Sequence, residues 1–214
     1  MELWHFWTSL LLDGMTQICA QFGFSQAMAI ITMTLLVRAG LMPFSLTAAL
    51  RMEANKVKLR AVKPELEALR SRHKGKPRER AEATAELYRR HDIRMLDRIA
   101  LANVGSQSMV GLGLYQAIGR SGFDSPFMWI TSLARPDAWL TAAVAVLMAI
   151  AMAIAPGAFA EPSMIAMMSV AIVVAVVAVA AMPAGVGVYW AASNVASAVQ
   201  ALLVRLVLAR RPAA

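Results

Sequence analysis

Charge is scarce in this chain: only 16% of its 214 residues are Asp, Glu, Lys or Arg. A soluble domain carries about 25%, so there is too little polar surface to cover a globule in water. Cysteine is nearly missing. Cys19 stands alone, which excludes an intramolecular disulfide and any cysteine cluster for zinc or iron–sulfur. Catalytic signatures are missing too. No H-E-x-x-H, no G-x-S-x-G and no glycine-rich phosphate loop occurs. His5, His73 and His91 have no metal-ligand partner at useful spacing. Asp13, Asp124 and Asp137 lie near the ends of apolar runs, so no aspartate pair falls inside one. The expectation is a protein that is not an enzyme and needs no metal or cofactor. The first residues, with Trp4, Phe6 and Trp7, lack the basic n-region of a signal peptide. Residues 1–21 read instead as an interfacial helix, because such aromatics suit a headgroup boundary.

Apolar sequence is abundant, at 59%. A membrane-crossing helix needs about 20 apolar residues for a hydrocarbon core of about 30 Å. Gly14–Leu50 is interrupted only by Arg38, and Ile99–Gly119 and Ala138–Ala160 are uncharged. Pro162–Val204 is a 43-residue uncharged run. As one helix it would be about twice the bilayer, so it must fold back at Met182-Pro183-Ala184-Gly185. The pattern predicts an all-α polytopic membrane protein with five spans, near 22–44, 99–119, 138–156, 164–181 and 184–206. The long runs do not alternate, which excludes β-barrel strands. As regions, span one occupies 22–50, a polar insert 51–98, spans two to five 99–206, and a short basic tail 207–214.

The basic balance is local. Residues 51–98 hold 15 of the 21 Lys/Arg and 8 of the 13 Asp/Glu, so +7 of the net +8 lies there. A high pI therefore describes one insert and does not argue for nucleic-acid recognition. Arg205, Arg210 and Arg211 share a side with the insert if there are five spans, against Arg120 and Arg135 opposite. Positive-inside then puts the insert and the C-terminus in the cytoplasm and the N-terminus outside. Within the insert, Leu59, Val62, Leu66 and Leu69 recur at helical spacing. Pro64 with Glu65 and Glu67 suits a first turn. Lys74-Gly75-Lys76-Pro77 reads as a turn, and a second helix near 78–91 carries Ala81, Leu87 and Tyr88. This is a helical hairpin, expected to be too small for a core of its own. Its plainer alternative is a solvated linker stiffened by ion pairs. Leu66, Leu69, Leu87 and Tyr88 are its candidate contact residues.

Arg38 is the conspicuous side chain of span one. A charge inside a span costs at least ~2.5 kcal/mol and marks a candidate site. The alternative is snorkelling, since Arg38 lies six residues before Phe44, about 9 Å along the helix. Span one adds Gln26, Thr32 and Thr34. Span two carries Asn103, Ser106, Gln107 and Ser108, and span five Ser193, Asn194, Ser197 and Gln200. Ser193, Ser197 and Gln200 share one helical face. Each alone is explained by interhelical packing, at about 0.6 kcal/mol per hydrogen bond. As a set, Arg38, Gln26, Thr34, Asn103, Gln107, Ser193, Ser197 and Gln200 suit the wall of a hydrated, positively charged groove.

Several stretches resemble the YidC/Oxa-type membrane protein insertase family. They are Leu36-Val37-Arg38-Ala39-Gly40-Leu41-Met42-Pro43-Phe44, the hairpin from Val62-Lys63-Pro64-Glu65 to Tyr88-Arg89-Arg90-His91, and Gly111-Leu112-Gly113-Leu114-Tyr115-Gln116. Phe127-Met128-Trp129, Arg135-Pro136-Asp137, Met182-Pro183-Ala184-Gly185 to Tyr189-Trp190, and Asn194 to Gln200 follow in family order. The resemblance implies a five-helix core with a groove open to cytoplasm and lipid, Arg38 as its arginine, and insertion and chaperoning of small membrane proteins without nucleotide hydrolysis. It implies a bacterial inner-membrane location and newly made membrane proteins as partners, with the Sec translocon and the ribosome beside them; anionic lipids are expected as partners from the +7 charge of the insert. The chain departs from the pattern in three places. Span two opens without proline, the 156–163 loop lacks Lys/Arg, and only three residues follow Arg211, unlike a long ribosome-binding tail. A small-anion channel or secondary transporter past Arg38 is the alternative, although no internal repeat of the transporter kind is found. A scaffold whose hairpin only recruits a partner is a third reading.

Overall fold

The computed structural model describes residues 2–94, 98–159 and 162–210; Met1, part of the insert at 95–97 and the tail beyond Arg210, Arg211 included, lie outside the described residues. Among the described residues the protein is all-helical, with eight helices and a single isolated bridge between Phe127 and Ile130. In chain order they are α1 (Glu2–Phe22), α2 (Gln26–Ala61), α3 (Lys63–Arg72), α4 (Pro77–Arg90), α5 (Arg98–Arg120), α6 (Ala138–Ile154), α7 (Pro162–Ala180) and α8 (Ala184–Ala209). The breaks are chemical. Asp137 caps α6 by accepting from the Leu140 N–H at 2.7 Å. Pro183 is the N-cap of α8, where its missing N–H costs nothing.

By length and hydropathy, α2 and α8 are each able to cross a membrane. The described side chains of α6 and α7 are apolar but span fewer residues. α5 has 23 residues but carries the polar set noted above. Large apolar side chains are widely exposed. On α7, Val170, Val173, Val174 and Val177 are each more than 60% exposed, and among its described side chains only Ala175 and Val179 are buried. Water would penalise such a surface, and lipid would not.

The chain separates into two compact units. The first takes the residues up to Pro43 and those from Ser106 onward. Its core joins Leu11 and Met15 of α1, Ile30 of α2 and Leu114 and Ile118 of α5. Ile130 and Leu133 of the loop, Leu140 and Val144 of α6, Val179 of α7 and Val186 of α8 complete it. α6 packs against both α7 and α8. Glycine permits the closest approaches. A Cβ on Gly113 would meet Trp7 and come within 2.9 Å of Leu11 Cδ1, and one on Gly187 would stand 2.7 Å from Leu140 Cδ2. The N-terminal helix is thereby docked on α5, and Trp4 Nε1 donates to Gln116 Oε1 at 2.8 Å.

The second unit is 44–105. Here α2 continues to Ala61, beyond the expected end of span one at residue 50, so Leu59 belongs to α2 and not to the hairpin. The helix breaks at Val62, where Pro64 starts α3 in its first turn. α3 and α4 pack as the expected hairpin. It departs from expectation in having a small apolar cluster of its own: Val62, Leu66, Leu87 and Ile93 are buried, with Leu59, Leu69 and Tyr88 packed around them.

Candidate functional site

The site begins from Arg38, partly buried on α2 in the first unit. Its guanidinium Nη2 donates to Ser193 Oγ of α8. Tyr189, one turn earlier on α8, stands close enough to interact with both Arg38 and Ser193. No carboxylate among the described residues pairs with Arg38. The cation's hydrogen bond therefore goes to a neutral hydroxyl, that of Ser193. That arrangement keeps it in place while leaving most of its five donors to other acceptors.

Around it the α8 stripe extends as expected. Ser193 is buried, and Ser197 Oγ donates to the Ser193 carbonyl at 2.9 Å. Gln200 lies one further turn along the same face. From α5, Gly111 faces this stripe, since a Cβ there would stand 3.0 Å from the Tyr189 hydroxyl. Gln107 is one turn before Gly111 and so shares its face. Its Oε1 is buried and has no hydrogen-bond partner among the described residues. An unsatisfied buried acceptor costs about 1–3 kcal/mol, which a water or an incoming donor would relieve.

Not every expected residue gathers here. Thr34 is 1% exposed, and its hydroxyl is spent on its own helix, donating to the Ile30 carbonyl at 2.7 Å. Gln26 stands twelve residues before Arg38, about 18 Å along α2. There its Oε1 accepts from the Ser125 N–H at 2.9 Å and anchors the loop. Asn103 belongs to the second unit. The residue not anticipated is Tyr189. Its signal was its place one turn before Ser193 on the face already identified.

In the second unit, Leu66 and Leu87 are buried and Leu69 and Tyr88 are half-buried. These four form the hairpin's own cluster, so most of their apolar area is already covered. The hairpin's surface is charged. Arg89 and Arg90 pair with Glu86, at 2.6 and 3.1 Å.

Residues 18–210 match the family profile described as 60Kd inner membrane protein. Among curated proteins, the chain is similar to the membrane protein insertase YidC of Wolinella succinogenes, 26% identical over 203 residues. It is similar as well to that of Helicobacter pylori, 24% identical over 205 residues. Both matches cover 93% of this chain but 36% of the relative. The chain thus spans about a third of the length of the relatives it matches.

Proposed function

The chain belongs to the 60Kd inner membrane protein family, the YidC/Oxa-type insertases, and from that premise we propose that it inserts small membrane proteins into a bacterial inner membrane. The observation that carries the reading is the Arg38 cluster: a cation lodged among apolar helices, hydrogen-bonded to Ser193 with Tyr189 nearby, and with no carboxylate partner among the described residues. A structural arginine in lipid is ordinarily paired. One left with donors to spare suits a passing acceptor.

In this proposal α2, α5, α6, α7 and α8 are five spans, with the hairpin and C-terminus cytoplasmic and the 121–137 loop outside. Gln107, Ser193, Ser197 and Gln200 supply a wet wall beside Arg38. A short hydrophilic tail entering there meets polar groups part-way across, so the dry path left to cross is shorter. Each unsatisfied polar group costs several kcal/mol in hydrocarbon. Its attached apolar segment leaves sideways into lipid, and that partitioning drives the reaction. Newly made membrane proteins are the substrates. The Sec translocon and the ribosome are partners in the same proposal.

The test is insertion of a one-span substrate into liposomes, with the charge of its short tail varied and the amount of protein fixed. Arg38→Glu is expected to fail most with acidic tails, because like charges repel strongly at low dielectric. Arg38→Lys should retain part of the activity, keeping charge but losing the planar fork. Equal insertion by wild type and Arg38→Glu at every tail charge would remove Arg38 from the mechanism. Solute flux without insertion would favour the anion-transport reading instead. Topology is checked separately in a Cys19-free background. A cysteine at Gly75 should be shielded from impermeant reagents outside the cell, and one at Ser9, exposed on α1, labelled.

A further inference from the structure

The second unit holds a cleft of about 440 Å³ where α2, the 92–94 turn and the start of α5 meet. Arg51, Lys56, Lys58 and Arg94 line it with one acid, Asp92, and Met52, Ala54 and Ala100 give it an apolar lining. The wall is built, not draped. Asn55 clamps the backbone of Arg94 twice: its Nδ2 donates to the Arg94 carbonyl at 2.8 Å, and its Oδ1 accepts from the Arg94 N–H at 3.1 Å. Lys58 Nζ donates to both the carboxylate and the carbonyl of Asp92, at 2.9 and 3.0 Å. Asp92 itself sits at φ +47°, a left-handed conformation held by these ties. Ile93, between the tied residues, is buried in the hairpin cluster.

The ties also decide which charges are spent. Lys58 is committed to Asp92 and Lys56 to Glu53. Arg94 reaches Asp92 only at 3.5 Å, and Arg51 has no acidic partner among the described residues. Two guanidiniums thus line a cleft together with apolar side chains. The uncharged run of α2 ends at Leu50 and that of α5 begins at Ile99, so residues 51 and 100 fall where hydrocarbon gives way to headgroups.

We propose that this cleft binds the headgroup phosphate of an anionic phospholipid, with Arg51 and Arg94 on the phosphate and Met52 and Ala100 against the first carbons of the chain. The inference rests on the membrane placement argued above. Guanidinium suits a phosphate diester by offering two parallel donors. The apolar part of the lining separates a lipid from a free phosphoanion, which would gain nothing from it.

The test uses the purified full chain in detergent. Phosphatidylglycerol or phosphatidylcholine of matched chains is titrated in, and bound lipid is counted by native mass spectrometry. Wild type is expected to prefer phosphatidylglycerol, and Arg51→Gln with Arg94→Gln to weaken that binding about tenfold or more. Arg70→Gln with Arg80→Gln, the same charge change elsewhere on the hairpin, should leave the preference intact. Asn55→Ala removes no charge but frees the turn, and should weaken binding several-fold. Equal loss in the two double variants, full preference in Asn55→Ala, or displacement of the lipid by millimolar inorganic phosphate would each overturn the proposal. Insertion is scored separately. A wild type that selects phosphatidylglycerol but inserts nothing sinks the insertase reading alone, and one that inserts with no lipid preference sinks this inference alone.

Discussion

Within the first unit, the stretch of helix next to the 121–137 loop and the stretch around Arg38 are built on opposite principles. Beside the loop, Met15, Ile30, Leu114, Leu133 and Val186 are at most 1% exposed. Glycines there bring backbones into near contact. Along α2 the burial then stops: after Thr34 no residue up to Pro43 is buried, and Leu36 is 61% exposed. The first region is dense and dry. The second keeps a cation, hydroxyls and the orphan amide oxygen of Gln107. The proposed function would use both: the dry part to hold the shape, and the part with polar groups to meet a passing chain.

The largest contrast is in stability. Leu114 is fully buried and Leu36 largely exposed. Leu114→Ala is expected to lose about 2–5 kcal/mol through lost burial and the cavity left behind, and Leu36→Ala less than about 0.5 kcal/mol. Thermal unfolding in one detergent, followed by circular dichroism, reads both. Similar losses at the two positions would mean that the two regions are packed alike.

A second contrast sets the hairpin against the bundle. Leu66 and Leu87 are 8% and 6% exposed in a cluster that draws on residues of the second unit alone. Replacing both with Ala should cost about 2–4 kcal/mol of local stability. Amide exchange should then speed up across 63–90 and stay unchanged at 110–118. Faster exchange in both stretches would show that the hairpin cluster is no independent unit of stability.

These contrasts also mark what was legible beforehand. Helix limits in the apolar chain were readable because charges, proline and glycine punctuate it: 99–119 and 184–206 were expected, against Arg98–Arg120 and Ala184–Ala209. The hairpin was readable from Pro64, Pro77 and the leucine spacing. The run of α2 to Ala61 was not, since Leu59 continues the hairpin's period and only the backbone at Val62 breaks it. Among site residues, Arg38 and Ser193 were legible as polar groups on apolar helices, and the structure joins them. Gln26 was misplaced because sequence gives residue type but not depth along the helix, and Gln26 serves the loop. Thr34 and Ser197 each donate to the carbonyl one turn earlier, a partner that residue type alone does not reveal. Tyr189 was missed because a tyrosine beside Trp190 looks like packing.

Arg38 separates stability from activity. Burying a guanidinium is unfavourable, so Arg38→Leu should leave the fold unharmed or stabilise it by up to about 2 kcal/mol. The same variant should insert poorly. Gain in melting temperature with loss of insertion is the pattern of a site kept for function. A destabilised Arg38→Leu would instead make the Ser193 contact a structural one, and the looser region would owe its shape to it.

The smallest effect expected is a pH response confined to the hairpin. Glu86 is held below the usual carboxylate range first by its hydrogen bond from Arg90, with Arg89 adding to it, and Asp92 first by its hydrogen bond from Lys58 and then by the Lys58 and Arg94 charges. A carboxyl whose pKa is lower in the folded state stabilises the fold above its unfolded pKa, about 4. That contribution is lost as pH falls from there through the folded value. Both groups are fully solvated, so water and salt screen the pairs and the change is slight. Between pH 7 and 5 the hairpin should be unaffected, and below about 4 its exchange protection should decline, less so in high salt, where the pairs contribute little at any pH. Among the described residues no carboxylate is buried, and the bundle core around Leu114 should show no such decline. A hairpin that loosened between pH 7 and 5 would show that these two carboxylates do not govern its response.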